Sequence, residues 1–253
     1  MRKVSYHPSD FLRYNRFVRE ARKLKLGDSQ LSDKSTAYVD ELVDYIEQSE
    51  SIIQFKAGQE FYRAQIHDPL GDGTLPGLNR PKVFPPERMV PTAQHAGNNR
   101  LSCKGEPVLY LAKEPETAVA ESRPWKLGWL SVATFRLKRD VSVADLRIRE
   151  THPEQYATFA NFFEDAICLS VSYPNHPDDE LSYSSTQVLA SHIRKQGYDG
   201  IGYCSALYET ENACGENFMF FDVEVADVAG IELVQVESLK YQINVRRENQ
   251  EED

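Results

Sequence analysis

Apolar residues near the start of the chain recur every three or four positions. Phe11, Tyr14, Phe17, Val18, Ala21 and Leu24 make one such stripe, the signature of a helix with a single buried face. Ser9-Asp10 stands where a cap belongs, and Gly27-Asp28-Ser29 breaks the pattern. Ala37, Leu42, Val43 and Ile46 repeat the spacing and predict a second helix over 34–49. Residues 1–57 therefore read as a helical hairpin packed on a main domain, with a docking surface for a partner as the alternative. The period changes at Gly58-Gln59-Glu60. Phe61-Tyr62-Arg63-Ala64-Gln65 mixes large apolar and polar residues as a strand does. Prolines and glycines then fill the stretch between His67 and Ala96, including Asp72-Gly73, Pro76-Gly77 and Pro85-Pro86, and no periodicity survives. A loop of that length inside a compact domain often carries function.

Residues 98–125 organise the rest. A polar loop holds Arg100, an apolar run over 107–112 holds Tyr110, and a helix carries Glu121 before Arg123-Pro124 ends it. Loop, strand and helix thus deliver an arginine, a tyrosine and a glutamate in order. Strands follow over 129–137 and 141–146. Tyr156, Phe159, Phe163, Ile167 and Val171 give helical spacing over 153–171, and 174–180 is an acidic loop. Ser184-Ser185-Thr186 caps a helix carrying Val188, Leu189, His192 and Ile193, which Gly197 terminates. Asp199-Gly200 turns into a strand ending near Ser205. After a loop, 216–222 is a strand, 231–245 an edge strand, and 246–253 a charged tail. There is no internal repeat. Short strands with helices inserted between them predict the α+β class.

The formal net charge is −10. A surface of that sign repels phosphate backbones and anionic lipids, which argues against general nucleic-acid or membrane binding. No stretch approaches the roughly 18 apolar residues of a membrane helix, and no apolar segment follows the basic start, so the expected location is the cytoplasm. Cys103, Cys168, Cys204 and Cys214 form no C-x-x-C pair, and the histidines have no ligand spacing. Free thiols and no metal site are expected. Neither a G-x-G-x-x-G nor a phosphate-binding P-loop occurs, and Ser205 is not in a G-x-S-x-G elbow.

Arg100 offers a guanidinium fork for a phosphate or carboxylate, and Arg63, inside a strand, must find an anion or carbonyls if it faces inward. Tyr110 supplies a flat ring for a base or nicotinamide. Glu121 could accept from ribose hydroxyls and stabilise an oxocarbenium-like transition state. Each also has a plainer reading: a solvated arginine, a core tyrosine, a solvated glutamate. For Ser205 and Asn217 the plainer reading is turn and strand-end hydrogen bonding.

Taken together, Phe61-Tyr62-Arg63-Ala64, Asn99-Arg100-Leu101, Pro107-Val108-Leu109-Tyr110-Leu111-Ala112, Glu116-Thr117-Ala118-Val119-Ala120-Glu121, Tyr198-Asp199-Gly200-Ile201 and Glu216-Asn217-Phe218-Met219-Phe220-Phe221 resemble the RES domain. That family is named for an arginine, a glutamate and a serine, matched here by Arg100, Glu121 and Ser205 with Tyr110 between. The arginine loop departs from the family's usual G-G-R-[WF]-[NS], and residues 206–215 are a longer insert. The resemblance spans roughly residues 58–235. It implies an ADP-ribosyltransferase-like split β-core around an NAD cleft over 58–245, preceded by the helical segment 1–57. It implies an NAD-consuming enzyme that cleaves the nicotinamide–ribose bond by glycohydrolysis or phosphorolysis. NAD would be substrate, with no cofactor and no metal, and phosphate a second reactant in the phosphorolytic case. Many such proteins are toxins of toxin–antitoxin pairs, which implies a cognate antitoxin as partner. ADP-ribosyl transfer to a macromolecule, or an NAD-binding module without catalysis, are the alternatives. On this resemblance Arg63 and Arg100 hold the pyrophosphate or an attacking phosphate, and Tyr110 stacks on nicotinamide. Glu121 holds the ribose, Ser205 positions the ribose or amide, and Asn217 joins the NAD-binding set.

Overall fold

The helical stripe becomes α1 (Pro8–Lys25) and α2 (Asp33–Gln48) in the computed structural model, which describes residues 8–25, 30–68, 80–147, 163–173, 181–209 and 214–240. The Gly27 break lies outside those residues. Ser32 caps α2 by accepting from the Ser35 amide at 3.3 Å, and its own hydroxyl donates to the Glu20 carboxylate. This links the two helices at one end. Tyr38, Val39, Leu42, Val43 and Ile46 form the buried face of α2.

Eight strands make one sheet: β1 (Ile52–Phe55), β2 (Glu60–Ile66), β3 (Leu109–Ala112), β4 (Trp129–Leu137), β5 (Val141–Asp145), β6 (Gly200–Glu209), β7 (Cys214–Phe220) and β8 (Ala226–Gln235). Their order is β1-β5-β6-β7-β3-β2-β4-β8. β5 and β6 run parallel; the other neighbours are antiparallel. The parallel pair needs a long crossover, and it contains a π-helical turn (Phe163–Cys168), α5 (Leu169–Ser172) and α6 (Ser184–Lys195). Short helices α3 (Pro86–Met89) and α4 (Pro115–Glu121) complete the set. The α+β class and the inserted helices are as the sequence predicts.

Apolar side chains cover the sheet on both faces. Along β7, Phe218 and Phe220 point into one core with Phe61 and Phe135. Met219 points the other way, into a core with Leu42, Ile46, Leu101, Ile193 and Ile201. This is the two-residue alternation of a strand. The N-terminal helices therefore share a core with the sheet. Gly200 sits where the backbones come close: a Cβ there would lie 2.3 Å from the Met219 carbonyl oxygen.

Several elements differ from the sequence expectation. β1 lies inside the segment read as helical, because four residues with little alternation follow α2 directly. β8 begins at Ala226 and ends at Gln235, whereas 231–245 was expected; positions 241–253, including the charged tail, are outside the described residues. The helix expected over 153–171 is described from Phe163 onward; Tyr156 and Phe159 fall outside, as does the acidic loop 174–180. Part of the proline-rich stretch is ordered into α3 and a 3-10 turn over Ala93–His95, while 69–79 lies outside.

The largest correction concerns the expected loop after Ser205. β6 continues to Glu209 and β7 starts at Cys214, so the insert is the end of a β-hairpin. That pairing brings the Cα atoms of Cys204 and Cys214 to 5.6 Å, and the two form a disulfide. The expectation of four free thiols holds for Cys103 and Cys168 only.

Leu42 is fully buried where the helices meet the sheet. Leu42→Ala is expected to lower stability by about 2–5 kcal/mol. Urea unfolding followed by tryptophan fluorescence checks this, since Trp125 and Trp129 report from the sheet side. An unshifted midpoint would separate the helices from the sheet core.

Candidate active site

α4 is seven residues long and begins with Pro115 at its first turn, a position where the missing amide costs nothing. Its last residue, Glu121, reaches the mouth of a cleft of about 770 Å³. β2, β3, β7 and the loop around Arg100 form the other walls. That volume falls in the range of ordinary small-molecule sites.

Glu121 is held by two donors. Ser205 Oγ donates to Glu121 Oε1 at 2.7 Å, and Asn217 Nδ2 donates to the same oxygen at 2.6 Å. Both donors are buried, on adjacent strands of the hairpin. Among the described residues no further hydrogen bond reaches the carboxylate. Ser205 also accepts from the Leu207 amide at 3.1 Å, where the β6–β7 ladder shifts register. Such irregularities commonly re-aim a side chain next to a site. Ser205 thus acts on Glu121 from behind, while Asn217 also lines the cleft.

Arg63 faces the cleft from β2. Its Nη1 donates to the Tyr110 carbonyl at 3.3 Å, and its buried Nε has no partner. No carboxylate pairs with it among the described residues. Burial pushes its pKa down, away from the usual guanidinium value. A buried cation with unfilled donors is costly unless an anion arrives.

Arg100 is placed differently. Its Nη1 donates to the carbonyls of Val171 and Ser172, each at 2.7 Å, at the end of α5. The guanidinium lies over the Tyr203 ring at 5.5 Å. Its loop is tied from three sides. Thr186 Oγ1 donates to the Arg100 carbonyl, and Gln187 Nε2 donates to the carbonyls of Asn99 and Ser102. Lys25 at the end of α1 donates to Asn98 Oδ1 and Gln187 Oε1, both at 2.6 Å. Tyr110 completes the ties: its hydroxyl accepts from the Leu101 amide at 3.2 Å. Burial pushes the Tyr110 pKa up, although the Ser102 and Leu101 hydrogen bonds oppose this.

All six expected residues therefore gather at this cleft, five on its wall and Ser205 one layer behind. Tyr203 and Gln187 were not anticipated. Tyr203 was within reach of a pattern argument, since it lies two positions before Ser205 on one strand and so shares its face. Gln187 had only its position, four residues past Tyr183, the N-cap of α6, and its contacts are tertiary. Among the described residues no group of three or more histidines, cysteines or acids is placed to hold a metal, and no helix is long and apolar enough to cross a membrane.

The family model of the RES domain matches residues 77–244. No curated protein matches the chain. Among solved structures, one similar chain comes from the crystal structure of the M. tuberculosis MbcT-MbcA toxin-antitoxin complex. The likeness has 13% identity and a TM-score of 0.39, and it covers 78% of this chain and 93% of that one.

Tyr203 is buried against Tyr110 and its pKa is pushed well above the ordinary value, burial being the largest cause. Unfolded tyrosines ionise near pH ~10, whereas the folded protein keeps this proton to higher pH. Over that interval the unfolded chain holds fewer protons, so stability is full below about pH 10 and falls as pH rises. Urea midpoints measured from neutral to alkaline pH should show the decline. Tyr203→Phe should make the decline shallower, the remainder coming from the other tyrosines whose pKa burial also raises, Tyr38 and Tyr110 among them.

Proposed function

The chain belongs to the RES domain family, and on that premise we propose that it consumes NAD by breaking the nicotinamide–ribose bond. The observation that carries this reading is the Glu121 carboxylate, clamped on one oxygen and open on the other at the wall of a cleft of about 770 Å³. Nicotinamide is a cationic leaving group. As the C–N bond breaks, its electron pair returns to the ring nitrogen and positive charge develops on the ribose. A fixed carboxylate beside that ribose stabilises the charge, and it costs no reorganisation because Ser205 and Asn217 already hold it. Tyr110 offers its ring to nicotinamide. Arg63, with its unfilled donors, takes the pyrophosphate or an attacking phosphate, and Arg100 supports the same anionic end. Water or phosphate then closes the reaction at the ribose carbon.

No metal or organic cofactor enters this scheme. The toxin role, and with it a cognate antitoxin, is proposed from the family alone. Induced expression in bacteria should arrest growth and deplete cellular NAD, and Glu121→Gln should abolish both effects.

Purified protein incubated with NAD should release nicotinamide, and Glu121→Gln should lower the rate by roughly 100-fold or more. The Gln side chain keeps the shape while removing the charge, so the urea midpoint should move little. A requirement for phosphate separates phosphorolysis from hydrolysis. Label passing from NAD to a protein acceptor would replace both with ADP-ribosyl transfer, and no nicotinamide release from the unaltered protein would sink the reading.

A further inference from the structure

α4 ends on a left-handed residue that is not glycine, as α2 does at Glu50 (φ 52°). Ser122 is its C-cap, with the Ser122 amide donating to Val119 and the Arg123 amide donating to Ala120. Arg123 follows with φ 48°. This is the position after the cap where helices commonly turn left-handed, and glycine normally occupies it because any Cβ is strained there. Here the chain carries arginine. Its guanidinium has no hydrogen bond, ion pair or ring contact among the described residues, yet it lines the cleft. Strained backbone that persists without a local partner tends to mark a functional position.

The neighbouring residue fixes where this arginine stands. Ser122 Oγ donates to the Ala64 carbonyl at 3.1 Å, which ties the end of α4 to β2 one residue beyond Arg63. Arg123 and Arg63 both line the cleft, and Arg123 is exposed there, two positions from Glu121. We infer that Arg123 is a substrate-binding residue for the anionic part of the ligand, forming with Arg63 a two-arginine clamp on a pyrophosphate. Arg63 holds the buried phosphate and Arg123 closes over the one nearer solvent. The inference rests on the NAD reading of the cleft, because it uses the same site. It differs in naming what selects a dinucleotide over a mononucleotide.

Arg123→Gly separates binding from folding. Glycine relieves the backbone strain, so its urea midpoint should equal or exceed that of the unaltered protein. The KM for NAD should rise roughly 10- to 100-fold, the loss expected for one charge-assisted hydrogen bond, while kcat falls far less. ADP-ribose, measured by calorimetry without turnover, should weaken by a similar factor, and nicotinamide mononucleotide should lose much less. Arg123→Asn, which also tolerates the left-handed conformation, should behave alike. An unchanged KM and unchanged ADP-ribose affinity in both variants would overturn the clamp while leaving the NAD reading standing. So would a lowered urea midpoint at unchanged KM, which is the signature of an arginine serving only the helix end. An unaltered protein that neither releases nicotinamide nor binds ADP-ribose removes the NAD reading and the clamp together.

Discussion

Glu121 takes two hydrogen bonds on one oxygen, and this junction determines how α4 sits against the β6–β7 hairpin. A carboxylate at the edge of a sheet loses part of its hydration. Two short donors, one hydroxyl and one amide, offset that loss. The junction also demands close approach. Gly215 faces Thr117 of α4, and a Cβ at Gly215 would come within 2.7 Å of the threonine hydroxyl. The hairpin can therefore lie flat on the helix only where it has no side chain. The disulfide between Cys204 and Cys214 fastens the same hairpin beside both donors. Helix, hairpin and cross-link converge on the orientation of one carboxylate.

The cationic side of the cleft is built on a different principle. Arg100 is satisfied by carbonyls and an aromatic ring, and its backbone is tied by α6 and α1. It contributes a fixed positive charge whose position is already determined. Arg63 keeps unfilled donors and no counterion. One arginine is satisfied by the fold, and the other keeps a buried donor without a partner. The protein as a whole carries a charge of −10, so extended polyanions meet repulsion at long range. A single small anion that enters the cleft meets concentrated positive charge at short range. On the proposed NAD reading, the same chain would repel a nucleic acid and admit a nucleotide.

Periodicity made most of the elements legible. The stripe on α2 determines which face is buried, and the apolar runs of β4 and β7 mark strands covered on both faces. What escaped the sequence were the elements that owe their form to a neighbour. Ile52-Ile53-Gln54-Phe55 is a strand because β5 lies beside it. The hairpin end past Ser205 has little alternation of its own and is carried by the ladder it continues. In the site, residue type pointed to Arg63, Arg100, Tyr110 and Glu121. It could not tell that Arg100 would be spent on carbonyls, or that Ser205 would reach the carboxylate and not the cleft. Those are facts about which side chains meet, and a single sequence does not state them.

β2 lies between β3 and β4 in the middle of the sheet and carries Arg63. It also precedes the matched span of 77–244. The family boundary and the folding boundary are therefore different lines through this molecule. A fragment cut at residue 77 would lose β1, leave β3 and β4 without the strand that joins them, and remove the helices that cover one face. The sheet and its core extend beyond that segment, and β1, β2, α1 and α2 belong to them.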